Sequence, residues 1–196
     1  MSVPENAARR ELLADAGLRV LAASGARGLT HRAVDAEADV PRGTCGNYFS
    51  TRDSLLAALA ERVLVRIAPT PERLAELQDR PVGTDLMVDY ITYIVERTTD
   101  APELTMALFE LRLEASRRPA LAAALGATLR AAFRDDVAFN ESRGLPGGAT
   151  EIALLHFAID GLLLDQLTVP LDTDLDHDEA VRLIVERLVG RAPSGG

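Results

Sequence analysis

THRAVDAEADVPRGTCGNYFSTRDSLL, residues 30–56, is the stretch whose reading decides the fold. It parses into a short helix, a tight turn, a second short helix and the capped start of a third, which is the layout of a helix-turn-helix reader of DNA. Thr30 can cap a helix over 31–38, because its hydroxyl can accept a bond from an otherwise orphan backbone N–H. That helix is expected to stop near Asp39, since Val40 precedes Pro41 and the residue before a proline is pushed out of the helical region. Pro41 suits the first position of the next helix, where a missing N–H costs nothing. The second helix is expected over 42–48. Gly43, Thr44, Gly46 and Asn47 give it poor intrinsic propensity, so packing must hold it. Its value lies in its surface: small residues let the backbone approach a groove wall, and Arg42, Thr44, Asn47 and Tyr48 offer donors of the kind that meet phosphates and base edges. Arg42 and Asn47 are the candidates for base reading, since these side chains pair bidentately with guanine and adenine. His31 and Arg32 are placed to lie against the DNA backbone. Ser50 followed by Asp53 reads as a capping-box-like start for the third helix, with Arg52 in its first turn.

The order LTHRAV, then ADVPRGTCGNYF, then STRDSLL resembles the N-terminal domain of TetR-family transcriptional regulators over residues 1 to about 65. The resemblance implies that Thr30, Tyr48 and Arg52 meet phosphates and that Gly43 belongs to the DNA-facing set. It also implies a homodimeric repressor on a palindromic operator, released when a small-molecule effector changes the separation of the two reading heads. Two departures stand out. Asp39 occupies the turn where the family usually has glycine, and aspartate tolerates left-handed backbone better than most residues. Gly46 removes a side chain from the reading face, which bears on the target sequence more than on the fold.

The chain has 196 residues, 47% of them hydrophobic, enough for a packed core and too many for a disordered protein. No apolar run is long enough to span a membrane, and the N-terminus lacks the apolar segment of a signal peptide, so a cytoplasmic protein is expected. One cysteine, Cys45, precludes an internal disulfide and agrees with a reducing compartment. All 21 basic residues are arginine. The net charge of −9 looks wrong for a DNA binder until it is divided. Residues 1–66 carry nine arginines against eight acids, and the remainder twelve against twenty-two. The acid therefore lies outside the proposed reader, whose affinity should depend on which face holds the arginines and should fall steeply with salt.

Before the motif, 6–24 reads as a helix with Leu12, Ala16 and Val20 at a spacing of four and Leu13 and Leu21 beside them. Leu29, Val34, Val40, Phe49, Leu55 and Leu56 are its expected core partners. After it, helical patterns follow over 72–79, 85–99, 103–117, 119–142, 149–167 and 178–189, with a structureless tail from 192. No segment sustains strand alternation, so the chain is read as all-α. The expected division is 1–66 for the DNA-binding domain and 67–196 for a helical bundle that binds an effector and dimerises.

Within the bundle, Ile152, Leu155, Ile159, Leu162 and Leu163 cover much of one helix, and Val181, Ile184, Val185 and Leu188 stripe the last. Periodicity alone divides evenly between burial in one bundle and a seam with a second copy; the resemblance favours the seam. Large or polar residues on core-facing stripes supply the effector-pocket candidates: Met87, Tyr90, Ile91, Leu108, Phe109, Arg112, Phe133 and Phe157. Cys45 reads as a small, partly buried filler ahead of a redox sensor. The run Asp172, Asp174, Asp176, His177, Asp178, Glu179 resembles the opening of a calcium loop. It fails at the sixth position, His177, and the twelfth, Leu183, and is better read as acids favouring the start of the last helix. His156 and Asp160, one turn apart, read as a polar pair rather than a metal or catalytic site. No cofactor, metal or catalytic motif is expected. The alternative from another class is a helical small-molecule-binding or enzymatic bundle with a vestigial DNA reader.

Overall fold

The computed structural model describes residues 3–190. The tail expected to lack structure lies outside them. The described residues form ten helices and no strand: α1 (Val3–Gly28), α2 (His31–Glu37), α3 (Thr44–Tyr48), α4 (Arg52–Arg66), α5 (Pro71–Gln78), α6 (Thr84–Thr99), α7 (Pro102–Ala115), α8 (Pro119–Arg143), α9 (Ala149–Leu167) and α10 (His177–Val189). No helix among them is long and apolar enough to cross a membrane.

Two compact units result. Unit 1 takes Met1–Ala68 and Ala101–Leu129; unit 2 takes Pro69–Asp100 and Arg130–Gly196. Compactness thus groups α7 and the first part of α8 with the N-terminal helices, whereas motif and charge divide the chain at 66/67. The reason is burial: Leu104, Ala107 and Leu111 of α7, with Leu121 and Leu125 of α8, enter the same core as Leu13, Leu18 and Leu21 of α1 and Leu56, Leu59 and Val63 of α4. Leu29, Val34, Cys45 and Phe49 extend that core beneath α2 and α3. Leu12, expected in the α1 stripe, stays 40% exposed.

Ion pairs tie α1 to α4. Arg62 Nε and Nη2 donate to the two carboxylate oxygens of Asp15, each at 2.8 Å, and Arg66 reaches the same group at 2.8 Å. Burial alone would raise the Asp15 carboxyl, but these bonds outweigh it and hold the group below its ordinary value. At the far end of α1, Gly25 adopts a left-handed φ of 62° and breaks the helix; the freed Ala26 N–H donates to Glu110 Oε2 of α7 at 3.2 Å.

Unit 2 buries Leu86, Met87, Val88, Tyr90, Ile91 and Val95 of α6 with Ile152, Leu155, Ile159 and Leu163 of α9 and Val181, Val185 and Val189 of α10. Tyr90 meets Phe139 of α8 edge to face, with ring centroids 5.2 Å apart.

A candidate nucleic-acid interface

Local chemistry builds the reader. Thr30 caps α2 as expected, its Oγ1 accepting from Ala33 N at 3.1 Å. Asp39 takes the left-handed φ of 51° that the turn requires. The next helix starts later than the sequence suggests: Pro41 and Arg42 lie in a turn closed by Thr44 N–H on Pro41 O at 3.1 Å, and Gly43, at φ 91°, is the cap. A left-handed residue cannot lie inside a helix, so the helical path begins only at Thr44. The cap of α4 is likewise Thr51 rather than Ser50, paired with Ser54 in a reciprocal capping box.

The candidate DNA-contacting residues fall into two groups. Arg32, Arg42 and Asn47 are exposed, and open space surrounds a Cβ built at Gly43 or Gly46. These positions leave the backbone of α3 approachable. The other candidates have bonds within the protein. Thr44 Oγ1 donates to Pro41 O at 2.6 Å, and a ring nitrogen of His31 lies 2.6 Å from Phe49 O. Tyr48 OH donates to Asn6 Oδ1 at 3.1 Å. Arg52, which the resemblance puts on a phosphate, instead donates through Nη1 and Nη2 to the carbonyls of Leu29 and Ala26, bracing the loop that enters α2.

Two residues that the sequence reading did not single out join this surface. Arg10 of α1 stacks 4.6 Å from the Phe49 ring centroid and donates to Tyr48 O at 3.4 Å. With Asn6, Ala7, Asn47 and Tyr48 it lines an open cleft of about 570 Å³ beside α3. Only folding brings residues forty positions apart to one face, so no local signal could have marked Asn6 or Arg10.

Cys45 is fully buried in the core beneath α3. Burial, and secondarily the Asp35 carboxylate, push its thiol up to about 11. A thiol so placed is protonated at neutral pH and a poor nucleophile. Mild peroxide is therefore expected to leave DNA binding unchanged and Cys45 unmodified by mass spectrometry; oxidation at Cys45 with loss of binding would contradict the filler role.

In unit 2, the seam candidates divide. Ile152, Leu155, Ile159, Leu163, Val181 and Val185 are buried within the chain, while Leu162, Ile184 and Leu188 are half-buried. The outward face of α9 carries a different set: Leu154 at 42% exposure, Phe157 at 69% and Leu164 at 47%, with Gly161 exposed among them. Phe157, proposed from sequence as a pocket wall, is turned to this outer face. Met87, Tyr90 and Ile91 are buried and Phe133 half-buried in unit 2, whereas Leu108, Phe109 and Arg112 belong to unit 1. The Tyr90 hydroxyl and both amide atoms of Gln166 are buried in unit 2 without a bond to the described residues. His156 pairs with Asp136 of α8 at 3.0 Å, across helices. Asp176 of the acidic run caps α10, accepting from Glu179 N at 2.8 Å.

Residues 82–191 match the family described as "Tetracyclin repressor-like, C-terminal domain". Among solved structures, the chain is similar to the multidrug binding protein EbrR complexed with imidazole. There it shares 29% identity and a TM-score of 0.69 over 95% of this chain and 97% of that one. EbrR complexed with ethidium gives 30% identity and a TM-score of 0.66 over 92% and 98%. A member of the TetR family from Streptomyces coelicolor A3 gives 28% identity and a TM-score of 0.69, also over 92% and 98%. No curated protein matches the chain.

Proposed function

Because the chain belongs to the tetracyclin repressor-like family, we propose that it is a cytoplasmic one-component transcriptional repressor. In this reading it binds a palindromic operator as a homodimer and leaves it when a small molecule occupies the C-terminal domain. The observation that carries the reading is the pairing of exposed Arg42, in the turn before the short helix α3, and exposed Asn47, within it, with a backbone left clear at Gly43 and Gly46. Arg42 and Asn47 read bases, while Arg32, Thr30 and the Asn6–Arg10–Tyr48 cleft take backbone phosphates. The division of labour follows 1–66 for DNA and 67–196 for effector and dimer.

One reading helix spans too few base pairs for an address. Two related by a dyad read half-sites about 34–36 Å, or a multiple of that, apart. The outward stripe of α9, with Leu154, Phe157, Gly161 and Leu164 at alternating spacings of three and four, is the face that a second copy covers. Exposed apolar side chains at such a spacing are what an antiparallel or parallel helix pair buries. The buried, unbonded Tyr90 hydroxyl and Gln166 amide are the polar groups that an effector would satisfy.

Fluorescence titration of the full-length protein against a duplex enriched from a random pool tests the reading. Arg42→Ala is expected to weaken that duplex by about 1–3 kcal/mol while leaving affinity for unrelated duplex nearly unchanged. Equal binding by native and variant protein would remove Arg42 from base reading.

A further inference from the structure

Helix α3 carries no cap of its own. Gly43 has no side chain to offer, and no side chain within the helix bonds its first N–H groups. Those groups are met from another helix: Asp35, in α2, accepts from Gly43 N with Oδ2 and from Cys45 N with Oδ1, both at 2.7 Å. Asp35 is 2% exposed, among the few polar residues buried in the described chain. Its own carbonyl accepts from Val40 N at 3.0 Å, so main chain and side chain of one residue bind both sides of the turn.

A charge held out of water is costly unless bonded, and an aspartate among apolar residues has to be explained by what it bonds. Here two short bonds from N–H donors to a carboxylate are of the charge-assisted kind, stronger than neutral ones. They fix two points on the start of a five-residue helix that has two glycines nearby and little tendency to form by itself. We propose that Asp35 is the positioning residue of the reader: its carboxylate sets the angle at which α3, and hence Arg42, Thr44 and Asn47, is presented to DNA. This rests on the reading of α3 as the base-reading helix.

The chemistry at position 35 is restrictive. Both oxygens face donors, and a carboxylate is acceptor-only. Asparagine keeps the shape but turns an NH₂ toward one of the two N–H groups, breaking one bond and opposing two donors. Glutamate adds a methylene to a filled site, with the strain of overpacking. Asparagine is therefore the informative variant.

Full-length Asp35→Asn is expected to keep its helical circular dichroism, its oligomeric state and its affinity for unrelated duplex, and to lose about tenfold or more for the duplex selected by the native protein. Affinity for the selected duplex within about twofold of native would overturn the proposal. A parallel fall in both affinities together with a lowered melting temperature would do so too, because that is a stability effect and not positioning. Amide hydrogen exchange in the native protein supplies an arm that needs neither folded variant nor DNA. The Gly43 and Cys45 amides should be protected well beyond those of an exposed, uncapped turn, and exchange at the rate of a free peptide would overturn the proposal. If no duplex were selected at all, the DNA reading would fail while this exchange result still stood.

Discussion

Leu154→Glu combined with Phe157→Glu is expected to convert a dimer into a folded monomer and to weaken operator binding by more than about a hundredfold. Both side chains lie on the outer face of α9, at 42% and 69% exposure, so their loss removes little from the core of unit 2. Covering a Leu or Phe side chain contributes about 1.5–3 kcal/mol. A dyad brings four such side chains together and the variant replaces them with four like charges. Each monomer would then carry one reading head, and the gain from joining two binding events on one duplex disappears. Sedimentation velocity checks the first part, titration of the selected duplex the second. A variant that still sediments as a dimer would move the seam to another face.

Arg52→Ala is expected to lower the stability of unit 1 by about 2–4 kcal/mol, through the loss of two hydrogen bonds from a charged group and the exposure of two carbonyls to imperfect solvation. For a chain of this size that corresponds to a fall of about 4–16 °C in the melting temperature. Lysine should not restore it, since a single ammonium on a flexible stem does not reproduce the planar fork that reaches the Leu29 and Ala26 carbonyls together. The phosphate role that the resemblance gives to Arg52 makes the opposite forecast, namely unchanged melting with weakened, less salt-sensitive DNA binding. Thermal unfolding beside a salt titration of the same variant separates the two, and unchanged melting would contradict the bracing role.

What could be read from the sequence was whatever depends on near neighbours. The Thr30 cap and the left-handed Asp39 each follow from the steric and hydrogen-bonding properties of one or two residues. Errors of register came from rival signals side by side. Pro41 suits a first helical position, but Gly43 two residues on takes a left-handed conformation and delays the helix. Ser50 and Thr51 are both good caps, and the capping-box partner Ser54 lies three residues from Thr51.

The apolar faces show a different limit. Periodicity picks out the most hydrophobic stripe of α9, and Ile152, Leu155, Ile159 and Leu163 are for that reason the ones the chain buries against itself. The weaker second stripe, interrupted by Gly161, is left outside. Nothing in the sequence pattern distinguishes a face that meets the same chain from one that meets a copy. Long-range partnerships were equally invisible. Glu110 holding Ala26, Arg10 stacking on Phe49 and Asp35 holding α3 across the turn depend on where the helices pack, and charge counts along the chain carry no trace of them.

Recognition of an operator requires two copies of α3 offered outward to one duplex. In vitro selection by the full-length protein from a pool of random duplexes tests this most directly. The predicted result is an inverted repeat whose half-site centres are separated by about one helical turn of DNA, 10–10.5 base pairs, or a multiple of it. Recovery of a single unrepeated motif, or of no shared sequence, would contradict it.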